Sequence, residues 1–179
     1  MLIARVLSGH FKQVTLVETD ELKNEPEFRP GVPQARHPHA LLTRGLLLFE
    51  QLFPGFQNEL LLHGTSVIRH GTDFRILYPS GWNPRIDSGM FMCPATRPLI
   101  EQTMRRWLQT YANISWKTGE RVLSLVAGPS STVTGVRLRS GELPADLVVD
   151  VSGRSSRTPH WLADLGFDPP AESIVDTRF

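Results

Sequence analysis

The segment MLIARVLSGHFKQVTLVETD, residues 1–20, decides the fold class of this chain. Apolar residues recur at helical spacing between Leu2 and Leu7, which predicts a short helix that Gly9 can end. A short apolar strand follows over residues 14–17, and Glu18 closes it. The segment therefore predicts a helix, a turn, a strand and an acidic residue at the end of the strand.

This order is that of the second half of a βαβ unit. In a dinucleotide-binding unit, the acidic residue that ends the second strand accepts hydrogen bonds from ribose hydroxyls, and a first strand and a glycine-rich loop precede the helix. Here Met1 falls at the start of the helix, so neither of those parts is in the sequence. Glu18 is a candidate ribose ligand, and the alternative is a solvated carboxylate at a strand end.

Composition limits the class of protein. The chain has 179 residues, 40% of them hydrophobic and 21% charged, with a net charge of +1. These values predict one ordinary domain, residues 1–179, and no nucleic-acid partner, because there is no basic excess. The single cysteine, Cys93, cannot form an internal disulfide, which favours a reducing, cytoplasmic location. We interpret Cys93 as a small buried residue, with a reactive thiol as the alternative.

The remaining pattern alternates helices and strands. We predict a surface loop after Glu18, a helix over residues 37–53 that Pro54 stops, and two strands around a His70-Gly71 turn. A second long helix begins near Thr96, and residues 121–128 pair with 132–139 as an antiparallel hairpin. No apolar run approaches the roughly 18 residues needed to cross a bilayer, so we predict no membrane span.

The segment ADLVVDV, residues 145–151, is a nearly continuous apolar run. Such a run is typical of a strand buried on both faces, and Thr158 before Pro159 predicts the N-cap of a final helix. The element order as a whole argues for an α/β or α+β fold with a mixed sheet.

Three further places carry candidate binding residues. Arg29 and Arg36 lie in the loop RPGVPQARHPH, where arginines can grip a phosphate or simply be solvated. Arg97 begins a helix, which the helix dipole disfavours unless an anion or a nearby carboxylate compensates. The loop DVSGRSSRTPHWL follows the apolar run and is rich in small residues that admit a ligand. His37 and His39 have no ligand partner at a recognised spacing, so we predict no metal site.

Taken in order, VTLVETD, RPGVPQARHPHALLTRG, TRPLIEQTMRRWL and DLVVDVSGRSSRTPHWL resemble flavin-dependent oxidoreductases of the aromatic-hydroxylase and geranylgeranyl-reductase type, and FAD-dependent monooxygenase-like proteins most of all. The resemblance covers most of the chain. It implies an α/β fold, namely an incomplete Rossmann-like FAD-binding domain with a mixed sheet and a β insertion. The implied cofactor is FAD, with NAD(P)H as the reductant and a small molecule as the substrate of the full-length relative.

The resemblance also implies roles for individual residues. Glu18 would hold the ribose of FAD, Arg36 would face the flavin or its phosphates with Arg29 as the second choice, and Arg97 would contact the ribose and phosphate side. The adenine contact would come from the backbone near Val122, and Gly153 would lie by the pyrophosphate. Ser152 stands where many members of the family have aspartate, which weakens the transfer of a nicotinamide-related role to this loop. The resemblance assigns no catalytic residue.

The resemblance implies further parts that are not in the sequence. One is the GxGxxG loop before the first helix, and the others are a second Gly-Asp motif near the flavin ribityl chain and a substrate-covering sheet, both after the position of Phe179. We therefore expect a fragment of an FAD-dependent monooxygenase or reductase, inactive alone and binding FAD weakly or not at all. An alternative is a noncatalytic assembly module that a partner chain completes at an exposed sheet edge. A third interpretation is a protein that binds NAD. An incomplete sheet would also favour low stability or self-association.

Overall fold

A computed structural model of the chain describes residues 1–130, 132–168 and 170–177. They form two compact units, Met1–Thr118 and a second one that begins at Gly119, and each is described by itself. The elements of the first unit are α1 (Leu2–Leu7), β1 (Val14–Val17), a 3-10 turn (Pro33–Arg36), β2 (Ala40–Leu42), α2 (Thr43–Leu52), α3 (Phe56–Leu62), β3 (Ile68–Arg69), β4 (Leu77–Tyr78), β5 (Gly81–Trp82), β6 (Phe91–Pro94), α4 (Arg97–Gln109) and β7 (Ile114–Lys117). The elements of the second unit are β8 (Val122–Gly128), β9 (Thr132–Leu138), β10 (Gly141–Pro144), a 3-10 turn (Gly153–Ser155) and α5 (Thr158–Asp164).

The predicted helix and strand at the start of the chain are confirmed as α1 and β1. Strand β1 pairs in parallel with β7, in a register that places Val14 opposite Ile114. Asn113 fixes this pair to the preceding turn, because its side-chain amide donates to the backbone oxygens of Ser8 at 2.8 Å and Phe11 at 3.0 Å. Of the helix residues, Ala4 is the one that is buried. The parallel pair therefore brings two distant segments to one sheet edge.

The core of the first unit lies between α2, α3, α4 and β6. Its fully buried side chains include Phe53, Phe56, Leu60 and Leu108. Cys93 of β6 is also completely buried, which confirms its interpretation as a small buried residue. Glu50 connects α2 to α3, since its two carboxylate oxygens accept from the backbone N–H groups of Gly55 at 2.5 Å and Gln57 at 3.0 Å. The predicted stop at Pro54 is confirmed, and α3 was not predicted.

The prediction of one helix over residues 37–53 is wrong in its first part. Residues 40–42 form β2, which pairs antiparallel with β6, and the helix begins only at Thr43. The reason is that the backbone of this segment finds hydrogen-bond partners on β6. The pairing extends one residue further, because Ala95 N donates to His39 O at 3.1 Å.

The two strands predicted around His70-Gly71 do exist, but they do not pair with each other. Strand β3 pairs with β6, and β4 pairs with β5. Gly71 forms the turn with φ = 93°, and a Cβ at this position would lie 2.2 Å from the backbone oxygen of Ile86. This close approach and the positive φ explain the glycine. The β insertion between α3 and α4 thus consists of short strands in different sheets.

The second unit contains the predicted hairpin. Strands β8 and β9 pair antiparallel, and β10 adds a third strand on the other side of β9. A Cβ at Gly135 would lie 2.4 Å from the backbone oxygen of Leu143, so β10 approaches β9 closely at this point. Helix α5 begins at Thr158 itself with Arg157 at the cap position, one residue earlier than predicted, and Pro159 occupies the first turn.

The prediction of a buried strand over residues 145–151 is wrong. The backbone pairing ends where Ala145 N donates to Thr134 O at 2.9 Å, and the residues that follow form no described strand. Their side chains are exposed, with exposed fractions of 50% for Leu147, 42% for Val149 and 70% for Val151. A strand that is buried on both faces needs a neighbour on each side, and the described residues supply none here.

The α/β class is confirmed, and the sheets are small and separate. Their strand orders are β1-β7, β2-β6-β3, β4-β5 and β8-β9-β10. Among the described pairs of strands only β1-β7 is parallel, so parallel and antiparallel strand pairs occur in different sheets rather than in one mixed sheet. The Rossmann-like arrangement remains a prediction. Within the described part of the chain, no helix has the length and apolar character to cross a membrane.

Candidate cofactor site

Glu18 stands at the carboxyl end of the parallel pair. Its N–H donates to Lys117 O at 2.9 Å, which continues the pairing of β1 with β7 by one residue. Its Oε1 accepts from the N–H of Asp20 at 3.0 Å, and its Oε2 lies 3.2 Å from Arg29 Nη1. Two carboxylate oxygens offer about four acceptor positions, so Glu18 retains room for a hydroxyl donor. The side chain is 30% exposed, which keeps it accessible.

Arg29 holds three carboxylates together. Its Nη1 lies 2.8 Å from Asp20 Oδ2 as well as close to Glu18, and its Nη2 lies 2.9 Å from Glu101 Oε1 on α4. Its Nε donates to the same Glu101 oxygen at 3.0 Å. Gly31 N donates to Asp20 Oδ2 at 3.0 Å and tightens the loop around this group. We call these four side chains, Glu18, Asp20, Arg29 and Glu101, the Arg29 cluster.

Arg29 is committed to this internal role. Its side chain is only 11% exposed, and burial alone would lower its pKa. The hydrogen bonds to Glu101 and Asp20, together with the charges of Glu101 and Glu18, outweigh that effect and raise the pKa of Arg29 above its ordinary value. Its guanidinium is permanently charged and already bound to acids. Arg29 is therefore a poor phosphate ligand, and Arg36 remains the stronger candidate in this loop.

The charge balance of the Arg29 cluster favours a neutral ligand group with O–H donors. Three carboxylates surround one guanidinium, so the cluster carries a formal excess of negative charge. Such a group repels phosphate and accepts hydrogen bonds from hydroxyls. Recognition of ribose hydroxyls, which we expect at Glu18, agrees with this excess of negative charge.

Arg97 opens α4 without an acidic partner among residues 1–130. The cap of the helix is Thr96, whose Oγ1 accepts from Leu99 N at 3.3 Å. The conflict between the Arg97 charge and the helix dipole is thus not relieved by a described carboxylate. Burial lowers the pKa of the nearby His39, and the positive charge of Arg97 lowers it further. The negative charge of a bound anion would offset the Arg97 charge, both at the helix N-terminus and beside His39.

Arg36 lies at the end of the 3-10 turn in the same loop. It is exposed, and its guanidinium lies over the ring of Phe28, 4.8 Å from the ring centroid. The turn packs against α4, while Ala35 is buried and fixes its position. Stacking on an aromatic ring leaves the outer N–H groups of an arginine free for an oxyanion.

Val122 and Gly153, the other two predicted ligands, belong to the second unit. Val122 is the first residue of β8 and pairs with Leu138. Gly153 begins a 3-10 turn with φ = 75° and is exposed. Before it, Asp150 organises the loop by accepting from Ser152 N at 2.8 Å and Ser156 Oγ at 2.6 Å.

The carboxylate of Asp150 is held in its charged form. Its partial burial would raise the pKa, but the hydrogen bonds from Ser156, Thr158 and Ser152 outweigh this and set the pKa well below the usual range. Asp150 thus shapes the loop that presents Gly153. The predicted ligands Glu18, Arg36 and Arg97 share the first unit, while these two share the second.

Sequence reasoning missed Asp20 and Glu101 as members of the Arg29 cluster. Glu101 is 72 residues from Arg29 along the chain, so no spacing rule connects them. Asp20 directly follows the strand end, and its proximity to Glu18 was the one available signal. Among the described residues, no three or more His, Cys, Asp or Glu side chains are arranged so that they could hold a metal ion, and the three carboxylates of the Arg29 cluster are paired with Arg29.

Comparison with known proteins gives one curated relative and a set of solved structures. The chain is 33% identical to "Protein Rv3254" of Mycobacterium tuberculosis over an alignment 192 positions long, which covers 97% of this chain and 40% of that protein. The chain thus spans about two fifths of the length of the curated relative that it matches. No family model matches the sequence.

The solved structures that match include those of PqsL from Pseudomonas aeruginosa, described as a probable FAD-dependent monooxygenase. Its structure matches 97% of this chain and 44% of the PqsL chain, with a TM-score of 0.61 and 18% identity. A variant of PqsL with four substitutions gives a TM-score of 0.63 at 18% identity, and a complex with 2-aminobenzoylacetate gives 0.61 at 19%. The chain shares its fold with part of PqsL.

Proposed function

We propose that this chain forms part of the FAD-binding region of an FAD-dependent oxidoreductase of the monooxygenase or reductase class. The observation that carries the proposal is the position of Glu18 at the carboxyl end of the β1-β7 parallel pair, with acceptor capacity to spare. Ligands of open α/β sheets bind beyond this end of the strands. The fold shared with part of PqsL supports the same proposal.

The side chains present suit the two halves of a nucleotide. The acid-rich Arg29 cluster suits ribose hydroxyls at Glu18, while Arg97 and the exposed Arg36 are cations without a described carboxylate partner and suit phosphates. Val122 would supply a backbone contact to the adenine, and Gly153 would allow close approach of the pyrophosphate. The bound FAD would supply the redox chemistry, with NAD(P)H as the reductant of the full-length relative. The protein's own residues bind and orient it.

A titration of the purified chain with FAD tests the proposal. We expect saturable but weak quenching of flavin fluorescence and no turnover. The substitutions Glu18→Gln and Arg97→Met should each weaken binding about tenfold, because each removes a hydrogen bond to or from a charged group. Glu25→Gln and Arg44→Met make the same chemical changes at exposed positions and serve as matched controls.

The outcome separates three interpretations. Binding that the site variants leave unchanged, or no saturation at millimolar FAD, would contradict the proposed role of these residues. A parallel titration with NAD that saturates at lower concentration than FAD would favour the NAD-binding interpretation. Thermal melting of each variant shows whether it remains folded, which matters most for Glu18→Gln because Glu18 also pairs with Arg29.

A second candidate function rests on the exposed apolar segment 145–151. The backbone that follows Ala145 and the exposed side chains of this segment can be covered by a strand of another polypeptide, which would make the chain a noncatalytic assembly module. This candidate expects no FAD binding and a stoichiometric complex with a specific polypeptide. Cross-linking from a cysteine substituted at Leu147 would locate the contact, and a complex that leaves this position unlabelled would contradict it.

A further inference from the structure

A cavity of about 470 Å³ lies in the first unit beside α4. Its walls are the loop residues 22–24, one face of α4 between Gln102 and Gln109, and Trp116 with Thr118 at the end of β7. Sites for small molecules commonly have volumes of about 300–1,000 Å³. None of the described residues that line this cavity is acidic, and none was assigned above to the candidate cofactor site.

Two residues of the cavity wall each have one buried polar atom without a partner among the described residues. The side chain of Gln102 is 2% exposed; its Nε2 donates to the backbone oxygen of Asn24, and its Oε1 accepts no hydrogen bond. The indole Nε1 of Trp116 is also buried and donates to no described atom. Buried polar groups in proteins are nearly always paired, so an unpaired acceptor and an unpaired donor at one cavity point to a ligand.

A buried cation completes the wall. Arg105 is 7% exposed, and the described residues give its guanidinium neither a hydrogen bond nor a carboxylate within 4 Å. The other two cations of the wall are occupied, because Lys23 Nζ lies 2.7 Å from Glu27 Oε2 and Arg106 Nη1 lies 3.1 Å from Glu59 Oε1. The charge of Arg105 helps to lower the pKa of Glu27, but the two groups form no direct ion pair. Arg105 is therefore the cation of this wall that has no direct carboxylate partner among the described residues, which makes it the strongest anion-attracting group in the cavity.

We propose that this cavity binds a small organic oxyanion, a phosphate or carboxylate, that also carries an O–H or N–H donor. The oxyanion pairs with the Arg105 guanidinium and accepts from the Trp116 indole N–H. The donor group of the ligand satisfies Gln102 Oε1. This site goes beyond the proposed FAD role, because its residues are separate from Glu18, Arg36 and Arg97.

Isothermal titration at constant ionic strength tests the two requirements separately. The probes are glycerol 3-phosphate and glycerate, which carry an oxyanion and hydroxyls, sulfate, which carries an oxyanion without a donor, and glycerol, which carries donors alone. We expect saturable millimolar or tighter binding of glycerol 3-phosphate or glycerate, binding of sulfate weaker by about tenfold, and none of glycerol. Whichever of the two organic anions binds more tightly identifies the oxyanion class. If neither glycerol 3-phosphate nor glycerate shows saturable binding, the proposal is overturned.

Two substitutions and a control assign the binding to the cavity. Arg105→Met should weaken binding of the tighter probe about tenfold or more without lowering the melting temperature, since it removes an unpaired buried charge. Gln102→Met should abolish the advantage of that probe over sulfate. Arg44→Met removes an exposed cation of α2 and should leave binding unchanged. Equal weakening by Arg44→Met, or unchanged binding in Arg105→Met, would refute the site. FAD binding should persist in Arg105→Met, which separates this proposal from the preceding one.

Discussion

Two arginines of similar burial have opposite surroundings in this chain. Arg29 pairs with Glu18, Asp20 and Glu101, whereas Arg105 has no carboxylate within 4 Å among the described residues. A buried guanidinium that is fully paired holds segments together, while one that is unpaired is available for a ligand. The same residue type therefore stabilises the fold at one position and prepares a binding site at the other.

The substitution Arg29→Met should destabilise the chain by about 3 kcal/mol, because it leaves three carboxylates close together without their cation. Urea unfolding followed by circular dichroism measures the change in the free energy of unfolding. Arg69→Met is the matched control, since Arg69 pairs with Asp73 at the surface and such pairs contribute about 0–1 kcal/mol. Equal effects of the two substitutions would show that the Arg29 cluster contributes no more than a surface pair.

At the residue scale, local chemistry could be predicted from the sequence and distant pairing could not. Glu18 at a strand end and Arg97 at a helix start follow from their immediate neighbours, and the structure places both there. The partners of Arg29 do not follow in this way, because Glu101 is remote in sequence. The cavity beside α4 was also missed, since Gln102 and Arg105 look like ordinary polar residues of a helix surface until their burial is known.

At the scale of elements, the available hydrogen-bond partners determine whether a segment with an ambiguous apolar pattern forms a strand or a helix. Residues 37–53 have helical spacing, yet the first part pairs with β6 and only the second part is helical. Thr43 marks the boundary, because its Oγ1 donates to Phe91 O at 2.7 Å and accepts from Phe91 N at 2.8 Å. Apolar periodicity predicts which side chains are buried more reliably than it predicts the backbone conformation.

Thr43→Val should destabilise the chain by about 1–3 kcal/mol, because it keeps the shape of the side chain and leaves both backbone groups of Phe91 without their partner. Thr43→Ser retains the hydroxyl and should cost clearly less. Thermal or urea unfolding of the two variants provides the comparison. If valine and serine are equivalent here, the two hydrogen bonds do not hold the start of α2 to β6.

At the scale of the whole molecule, the segment 145–151 presents apolar side chains that the described residues leave exposed. Leu147, Val149 and Val151 lie two residues apart along the chain, and all three are exposed. Isolated exposed apolar residues are ordinary, whereas a row of them beside unpaired backbone favours association. The α/β class could be predicted from the alternation of helices and strands along the sequence. The division into small separate sheets could not, because it depends on which strands pair with each other, and composition does not determine strand pairing.

We expect the chain to self-associate as its concentration rises, and the double substitution Leu147→Lys with Val149→Lys to reduce this association. Size-exclusion chromatography with light scattering measures the mass across a concentration series. Leu62→Lys, at an 82% exposed position of α3, controls for the added charge. A monodisperse monomer at every concentration, together with a sharp thermal transition, would contradict the expectation of association and low stability.

The β1-β7 pair can form only late in synthesis of the chain. Thr15 and Ser115 lie opposite each other in this sheet although 100 residues separate them along the chain. At synthesis rates of about 5–20 residues per second, β1 waits about 5–20 s before its partner exists. During that interval the backbone of β1 has no strand partner and the neighbouring apolar residues of α1 are open to non-native contacts.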